Sequence, residues 1–427
     1  MPLAKWTRKT IRHRSCDMKK RITLMIGLLL SLVGWIFAQP GRFEQPVFDD
    51  IVCTEGIPFS SAIAQGATSP STLYLDFYEP ADDTMTHRPL VITVFGGSFV
   101  AGSRDYVDMK EYCNRLSTYG YVAASIDYRL LPLTSLSASG LVRTAYMAAQ
   151  DVSSAVRFFK AHGDEYRVDT ASIFLLGNSA GSIAILHEVF MDEDERPSET
   201  FTLPDLGGMH SSGYSEYFHY SPAVAGIIPQ WGGVSDLNVI DVDETTPACL
   251  IHGTADDLVP YDSGYCYGGW LPNMMPYMYG SHPIAEHLAM LQHPDFELHP
   301  FEGEDHAFYF TGTYQLDMPK FDSCFSIVRE FLLRHIKTPA IGTTERFAPL
   351  VSLYPNPVTS VLHVTGPLDD GDSFAVYDML GKCRLDVVAT AGRDQSIDVS
   401  PLPQGVYLLL CRKKDHVTAV RFVKDVF

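Results

Sequence analysis

A glycine-flanked serine between a strand-like run and a helix-like run constrains the fold of this chain more than any other feature. Residues 177–181 read Gly-Asn-Ser-Ala-Gly and fit the pattern Gly-x-Ser-x-Gly. The β-rich apolar run 173–176 precedes this pentapeptide, and the apolar, helix-like stretch 182–186 follows it. Strand, glycine-flanked serine and helix in this order place a serine on a sharp turn with its hydroxyl exposed. We therefore predict that Ser179 is a nucleophile that an adjacent base activates.

The rest of the first 340 residues repeats this alternation of short β-rich runs and helical stretches. Apolar residues recur at helical spacing over 138–162, and a last helix fits 324–336. Strands that alternate with helices predict an α/β fold, with a mostly parallel sheet and helices on both faces. The candidate strands are 89–94, 121–126, 171–176, 223–228, 248–252 and 297–301. In such sheets the functional site lies beyond the carboxyl ends of the strands.

A histidine after the last predicted strand is the candidate base. His306 follows the strand 297–301 and a turn that contains Gly303, so it can lie over the end of the sheet. His252 falls at a strand end, where we interpret it as a structural histidine. The other competing histidines are His282, His287, His293 and His299.

A carboxylate between the serine and the histidine is expected to orient the imidazole and to stabilise its charged form. Asp256 is the preferred candidate, because it belongs to the run His-Gly-x-x-Asp-x-x-Val-Pro at 252–260. The neighbouring Asp257 is the main alternative, followed by Asp305 and Asp241.

A glycine pair after the strand 89–94 predicts an oxyanion hole. Residues 95–98 read Phe-Gly-Gly-Ser, and successive glycines let backbone N–H groups turn toward a developing negative charge. The predicted donors are the N–H groups of Gly97, Ser98 and Ala180, the last directly after the nucleophile. A purely structural turn is the alternative.

Two segments, 192–220 and 261–280, look like insertions over the same end of the sheet. The second is rich in aromatic residues and glycine, which favours either a surface loop packed on itself or a wall of a binding pocket. The predicted substrate-binding residues are Phe99, Trp231, Tyr265 and Trp270.

The first 38 residues have the composition of a secretory signal. They contain eight Lys or Arg against one Asp, followed by an apolar run from Ile22 to Ala38. About 17 residues is marginal for a membrane span, so an uncleaved anchor helix is the alternative. We predict cleavage after Ala38, with Met18 as an alternative initiator, and no stable membrane span after cleavage.

Charge and cysteine content exclude several partners. Removing the net +7 of the leader from the formal charge of −19 leaves about −26, which argues against nucleic acid or anionic lipid. Seven cysteines follow the leader, without a Cys-x-x-Cys or other metal-type spacing. We predict neither a metal nor a cofactor. An exported chain can form disulfides, but their connectivity does not follow from the sequence.

Beyond residue 338 the composition changes, and we predict a linker over 339–350. Short strand-like runs separated by turn residues follow, which predicts a small antiparallel β-sandwich over 351–427. The runs are 361–364, 374–377, 383–388, 406–411 and 419–423.

Three motifs in this segment resemble the C-terminal sorting domain of type IX secretion substrates. They are Leu-Tyr-Pro-Asn-Pro at 353–357, Val-Tyr-Asp-Met-Leu-Gly-Lys at 376–382 and Leu-Pro-Gln-Gly-Val-Tyr at 402–407. The resemblance implies export across both bacterial membranes by the type IX machinery, and release or attachment at the cell surface. A carbohydrate-binding or structural β-module is the alternative.

Within a predicted catalytic domain over 39–338, the segment from about Leu73 to Ile336 resembles the α/β-hydrolase carboxylesterases with an HGG-type oxyanion loop, including the feruloyl- and acetyl-esterase-like branch. The resemblance implies a Ser-His-Asp triad, an acyl-enzyme and a small ester substrate. Phe95 replaces the first histidine of the oxyanion motif, and Ser98 replaces its third glycine. That histidine usually braces the loop and does not donate to the oxyanion, so we expect activity to survive.

Two other functions compete with ester hydrolysis. A prolyl-oligopeptidase-type peptidase shares the sheet and the triad, but the segment 38–73 is too short for its propeller. A surface binding protein on an inactive hydrolase scaffold is the non-enzymatic alternative, and the presence of every catalytic residue type argues against it.

Overall fold

The computed structural model describes residues 41–269, 275–312, 315–336, 352–354, 357–368, 373–378, 382–388, 392–412 and 417–425. The predicted signal peptide (1–38), the predicted linker (339–350) and Trp270 lie outside these residues. The chain divides into two compact units, Met1–Lys337 and Thr338–Phe427.

The first unit is built on an eight-stranded sheet in the order β1-β2-β4-β3-β5-β6-β7-β10. The strands from β4 to β10 run parallel to one another, whereas β1 and β2 pair antiparallel at one edge. Strands β8 and β9 form a separate hairpin. The bounds are β1 (Ile51–Ala62), β2 (Ser71–Pro80), β3 (Arg88–Val94), β4 (Val122–Ile126), β5 (Val168–Asn178), β6 (Gly226–Gln230), β7 (Ala248–Gly253), β8 (Ser263–Tyr265), β9 (Tyr277–Tyr279) and β10 (Phe296–Phe301).

This sheet confirms the predicted α/β class. The central strands are continuous apolar runs because helices cover both of their faces, and every residue of β3, β4, β6 and β7 is buried. All six predicted strands occur, although β6 begins at Gly226 and not at residue 223. The sequence did not predict β1 and β2. The first half of β1, at the edge of the sheet, is largely exposed and therefore lacks an apolar pattern.

The described residues of the first unit include six helices, and their ends follow local chemistry. They are α1 (Val107–Thr118), α2 (Ala138–Ala161), α3 (Gly163–Tyr166), α4 (Ala180–Phe190), α5 (Ser281–Met290) and α6 (Met318–His335). Helix α6 begins six residues before the predicted position, because the Asp317 carboxylate accepts the Lys320 N–H and Pro319 occupies the first turn. Short 3-10 turns occur at Leu133–Ser135, Glu193–Glu195, Ser198–Phe201, Ser215–Tyr217, Leu237–Val239 and Tyr267–Gly269. Across the described ranges, every helix is too short or too polar to cross a membrane.

The second unit consists of two antiparallel sheets around one apolar core. Their orders are β11-β12-β15 and β14-β13-β16-β17. The sequence did not predict β15, a polar edge strand. The strands are β11 (Ser352–Tyr354), β12 (Val361–Leu368), β13 (Ser373–Asp378), β14 (Cys383–Val388), β15 (Gly392–Asp398), β16 (Gly405–Arg412) and β17 (Val417–Lys424).

A buried ion pair ties α2 to the loop after β4. The Arg129 guanidinium lies 2.8 Å from the Asp151 carboxylate, and both side chains are almost fully buried. Arg129 also donates to the carbonyls of Ile63 and Met147 and to the hydroxyl of Ser212. One side chain therefore holds β1, α2 and the insertion 192–220 together.

Replacing Arg129 by Met should lower the free energy of unfolding by about 3–5 kcal/mol, because it leaves the Asp151 charge buried without a partner. Urea unfolding followed by circular dichroism measures the change. Arg334→Met is the matched control, since Arg334 pairs with Glu297 at the surface and such pairs contribute about 1 kcal/mol or less. An Arg129→Met protein as stable as the control would contradict this role for the ion pair.

Candidate active site

Ser179 occupies a strained turn between β5 and α4. Its φ of 51° and ψ of −119° lie outside the regions that a serine normally adopts. The Ser179 N–H donates to the Gln230 carbonyl at 2.9 Å, which fixes the turn against β6. The hydroxyl is thereby held at the carboxyl end of the sheet, as the strand–turn–helix pattern predicts.

The two glycines that flank Ser179 are required by close backbone contacts. A Cβ atom on Gly177 would lie 2.5 Å from the Gly181 carbonyl oxygen. A Cβ atom on Gly181 would lie 2.1 Å from the Val94 carbonyl oxygen. Any other residue at either position would push α4 away from β5 and β3, and the serine would move with it.

His306 contacts the nucleophile and the carboxylate at the same time. Its Nε2 lies 2.9 Å from the Ser179 Oγ, and its Nδ1 lies 2.7 Å from the Asp256 Oδ2. Because a carboxylate only accepts, Nδ1 carries the hydrogen and Nε2 is left to accept the serine hydroxyl. The structure therefore brings together the three residues that the sequence selected.

Asp256 is a buried carboxylate with both oxygens occupied. Oδ1 accepts the N–H groups of Leu258 and Val259 at 2.8 and 3.0 Å, and Oδ2 accepts from His306. Burial alone would raise the pKa of Asp256, but hydrogen bonds from His252 and His306 outweigh it and lower the pKa to about 2. Asp257, the main alternative, is exposed.

His252 is the neighbour of this carboxylate that the sequence reasoning did not connect with the site. It is fully buried at the end of β7, with Nε2 at 3.1 Å from the Asp256 Oδ2 and 3.0 Å from the Val259 carbonyl. Since a carbonyl only accepts, Nε2 carries a hydrogen, which it shares between the Asp256 Oδ2 and the Val259 carbonyl oxygen. His252 lies four residues before Asp256, at the end of a strand, and this spacing could have indicated that the two side chains meet.

The loop after β3 presents the backbone groups predicted for an oxyanion hole. Gly97 has a φ of +125°, and a Cβ atom there would lie 2.0 Å from the Ala101 carbonyl oxygen. Ser98 also has a positive φ, of 56°. In the described part of the chain, no hydrogen bond is found for the N–H of Gly97, Ser98 or Ala180, so all three can donate to a substrate oxygen.

Phe95 stabilises this loop where the resembling esterases have histidine. Its ring stacks on Tyr128 with centroids 4.3 Å apart, and the Tyr128 hydroxyl donates to the Phe95 carbonyl at 3.0 Å. Ring stacking and one hydrogen bond to the backbone thus replace a hydrogen-bonded imidazole as the brace.

A buried polar network lies directly behind the nucleophile, and no sequence pattern indicated it. The Asn178 side-chain amide donates to the Asp108 carboxylate, and the Tyr309 hydroxyl lies 3.0 Å from the same carboxylate oxygen. Tyr309 also lies 3.1 Å from the Gln230 Oε1. Burial raises the pKa of Asp108 to about 6. The network joins α1, β5, β6 and the His306 loop.

A largely apolar cavity of about 140 Å³ opens beside Ser179. Phe99 lines it, as predicted. Aliphatic and aromatic side chains dominate its wall, which suits an apolar substrate group. The lining residues are Ser98, Phe99, Val100, Leu136, Leu141, Val142, Ala145, Tyr146, Ser179, Ala180, Ile183, His187, Met191, Pro197, Ser235, Leu258, Val259, Cys266, Tyr267, Met275, Pro276 and Met278.

Two of the predicted substrate-binding residues do not line this cavity. Trp231 is fully buried, and its ring packs edge-on against His306 at 6.3 Å and Tyr309 at 4.7 Å, so it supports the histidine loop from behind. Tyr265 lies on the β8–β9 hairpin, exposed, with its ring against Tyr277. For Trp231 the prediction is wrong, because its ring is buried against other side chains and cannot contact a substrate. Tyr265 lies outside this cavity, and its predicted contact with a substrate stays a prediction.

One group of side chains among the described residues has the spacing of metal ligands. Cys249, Glu297 and His299 lie on the neighbouring strands β7 and β10. The Glu297 carboxylate is already paired with Arg334 at 2.5 Å. This pairing satisfies the charge that would attract a cation, and the chemistry described above involves none of these side chains.

Two family models match parts of this chain. Residues 75–243 match the family model BD-FAE, and residues 352–425 match the secretion system C-terminal sorting domain. A probable isoprenylcysteine alpha-carbonyl methylesterase (ICMEL1) of Arabidopsis thaliana is 29% identical over 225 residues, which are 47% of this chain and 45% of the relative. The chain thus spans less than half the length of this curated relative.

Solved structures of esterase 2 from Thermogutta terrifontis are among those to which this chain is similar. The form phosphorylated by paraoxon is 22% identical and has a TM-score of 0.45, covering 65% of this chain and 95% of that one. The butyrate-bound form is 21% identical with a TM-score of 0.46, covering 65% and 94%. The two family models confirm the two resemblances found in the sequence: residues 75–243 are similar to the BD-FAE esterase family and residues 352–425 to the secretion system C-terminal sorting domain, which indicates delivery to the cell surface or exterior.

Proposed function

We propose that this protein is an exported serine carboxylic ester hydrolase that acts through an acyl-enzyme on Ser179. The observation that carries the proposal is the continuous hydrogen-bond chain from the Ser179 hydroxyl through His306 to the Asp256 carboxylate. A serine hydroxyl is a weak nucleophile at neutral pH, and a base within hydrogen-bond distance is what activates it.

In the acylation step, the Ser179 Oγ bonds to the ester carbonyl carbon while its proton passes to the His306 Nε2. The electron pair of the carbonyl moves to oxygen, where the N–H groups of Gly97, Ser98 and Ala180 stabilise the negative charge. One such donor contributes about 3–4 kcal/mol to the transition state. The tetrahedral intermediate then expels the alkoxide, which takes the proton from His306 and leaves as the alcohol.

Deacylation repeats the sequence with water. His306 removes a proton from water as the water oxygen bonds to the acyl carbon, and the new intermediate expels the Ser179 Oγ. The serine recovers its proton from His306, and the carboxylic acid leaves. Asp256 remains ionised throughout, because its hydrogen bonds keep its pKa near 2, and it stabilises the imidazolium in both steps.

Two observations support an ester as the substrate in preference to a peptide or a non-catalytic binding role. The curated relative is a probable methylesterase, and the family model is shared with esterases. A binding protein on an inactive scaffold would have no need of a complete and correctly oriented triad. Comparing p-nitrophenyl esters with prolyl p-nitroanilides separates esterase from peptidase.

We further propose that the C-terminal unit serves export and takes no part in hydrolysis. Every residue of the candidate site belongs to the first unit, and the second unit has an apolar core of its own. Its match to the secretion sorting domain supports recognition by the type IX machinery.

Ser179→Ala should lower kcat/KM for p-nitrophenyl butyrate by about 10⁴-fold or more, because it removes the covalent route. It should also abolish labelling by a fluorophosphonate probe. His306→Ala should behave alike, and the double variant should be hardly worse, since the two residues act as one unit. Ser182→Ala, in the first turn of α4, is the control. Retention of more than about a tenth of the activity by Ser179→Ala would exclude it as the nucleophile.

Asp256→Asn should cost far more activity than Asp257→Asn, because only Asp256 is buried against the histidine.

The lowered pKa of Asp256 also has a consequence for stability. The contribution of the carboxylate is present above its ordinary pKa near 4 and is lost as the pH falls toward 2. Acid unfolding of Asp256→Asn should therefore show a weaker pH dependence between about pH 4 and pH 2 than that of Asp257→Asn. Equal profiles would contradict this assignment.

A chain that ends at residue 350 should keep its esterase activity but remain in the periplasm of a host that has a type IX system. Cell fractionation with an esterase assay on each fraction tests both parts. Surface delivery of the truncated chain would contradict the sorting role. Loss of activity in a soluble, folded truncated chain would show that the second unit contributes to catalysis.

A further inference from the structure

The loop after β3 has an unusual backbone at the residues predicted to donate to the oxyanion. Three successive residues have a positive φ: Gly97 at 125°, Ser98 at 56° and Phe99 at 61°. Glycine adopts such angles freely, whereas a serine or a phenylalanine keeps them only where the surrounding structure holds it there. The shape of this loop therefore depends on the contacts that its residues make.

The two neighbours of Ser98 are held through their backbone carbonyl groups. The Gly97 carbonyl accepts the Ala101 N–H at 3.1 Å, and the Phe99 carbonyl accepts the Leu131 N–H at 2.7 Å. In the part of the chain that the structure describes, no hydrogen bond is found for the backbone N–H or carbonyl of Ser98. The side chain of Ser98 is therefore what can fix this residue.

A hydrogen bond between two hydroxyl groups joins Ser98 to Tyr267, which lies 169 positions later in the chain. Each hydroxyl can both donate and accept, so the bond can form in either direction. Both side chains are half-buried, and both line the cavity beside Ser179. Since Ser98 replaces a glycine of the oxyanion motif in the resembling esterases, this bond is one that the glycine could not make.

Tyr267 is carried by the loop that contains Asp256. The Tyr267 N–H donates to the Leu258 carbonyl at 2.9 Å, and the Gly268 N–H donates to the Asp257 carbonyl at 2.6 Å. The Leu258 N–H in turn donates to the Asp256 Oδ1 at 2.8 Å. A series of hydrogen bonds thus connects the Asp256 carboxylate through Tyr267 to the loop after β3.

We propose that Tyr267 is a positioning residue, which fixes Ser98 so that the Ser98 N–H points at the carbonyl oxygen of a bound ester. This inference rests on the proposed esterase function. Tyr267 acts through Ser98 and does not itself contact the reacting atoms. Because the negative charge on that oxygen develops only toward the transition state, losing the tyrosine hydroxyl weakens catalysis and not the binding of the substrate.

Tyr267→Phe tests this role, because it removes the hydroxyl and keeps the ring in the cavity wall. We expect kcat for p-nitrophenyl butyrate to fall about tenfold, as for one lost hydrogen bond, while KM changes by less than about twofold. The inhibition constant of propyl trifluoromethyl ketone should rise by the factor by which kcat falls, because its adduct with Ser179 carries a negative oxygen at the same place. A merely structural tyrosine would lower the melting temperature or raise KM without this matching rise.

Tyr277→Phe is the matched control. The Tyr277 hydroxyl donates to the Ser263 Oγ at 3.1 Å, so the same pair of residue types is joined on the exposed β8–β9 hairpin. We expect kcat, KM and the inhibition constant of this variant to equal those of the wild type.

A double-mutant cycle then tests whether Tyr267 acts through Ser98. Ser98→Ala keeps the backbone N–H but lacks the hydroxyl, so it should lower kcat as Tyr267→Phe does, and the double variant should be no slower than either single variant. A Tyr267→Phe enzyme with kcat within about twofold of the wild type, an unchanged inhibition constant, or losses that multiply in the double variant would overturn the inference. Absence of ester hydrolysis by the wild type would instead overturn the proposed function, on which this inference rests.

Discussion

The Asp256 carboxylate is the interaction on which the candidate site depends. It accepts two backbone N–H groups from its own loop through Oδ1, and hydrogen bonds from His306 and His252 through Oδ2. Such a carboxylate can be buried without neutralising itself, because four donors replace the water that it loses. It therefore fixes the His306 ring, and in the proposed mechanism that ring sets the direction in which the Ser179 proton leaves.

The parallel sheet is what brings these groups together. Asn178 pairs in register with Gln230, and Gly253 pairs with Phe301, so the loops that follow β5, β7 and β10 all begin at one edge. Glycine at 177 and 181 lets the backbone of α4 approach that edge closely. The network of Asp108, Asn178, Gln230 and Tyr309 then fills the space beneath the turn with mutual hydrogen bonds. Rigid support of this kind holds the side chains of the site in position before a substrate binds, so that they need not be ordered in each turnover.

Sequence reasoning succeeded where a signal is local and failed where packing decides. The strand–turn–helix pattern around Ser179 and the apolar runs of β3 to β7 are local, and these strands lie within about three residues of their predicted bounds. Trp231 and Tyr265 were assigned to the pocket because aromatic residues often line pockets, yet one packs behind His306 and the other is exposed. The edge strands β1 and β15 were missed because half-exposed, polar strands carry no apolar pattern.

The sequence by itself determined the fold class, the turn around Ser179 and the division of the chain into a hydrolase-like region and a C-terminal sorting region, because contiguous residues carry each of these patterns. Only the tertiary structure decided that His252 shares the carboxylate of Asp256 and that Phe95 stacks on Tyr128 beneath the loop after β3. These relations depend on sheet register and on which side chains compete for the same buried space. A linear pattern does not contain that information, since residues such as Ser179 and His306 meet only after 127 positions of intervening chain have packed.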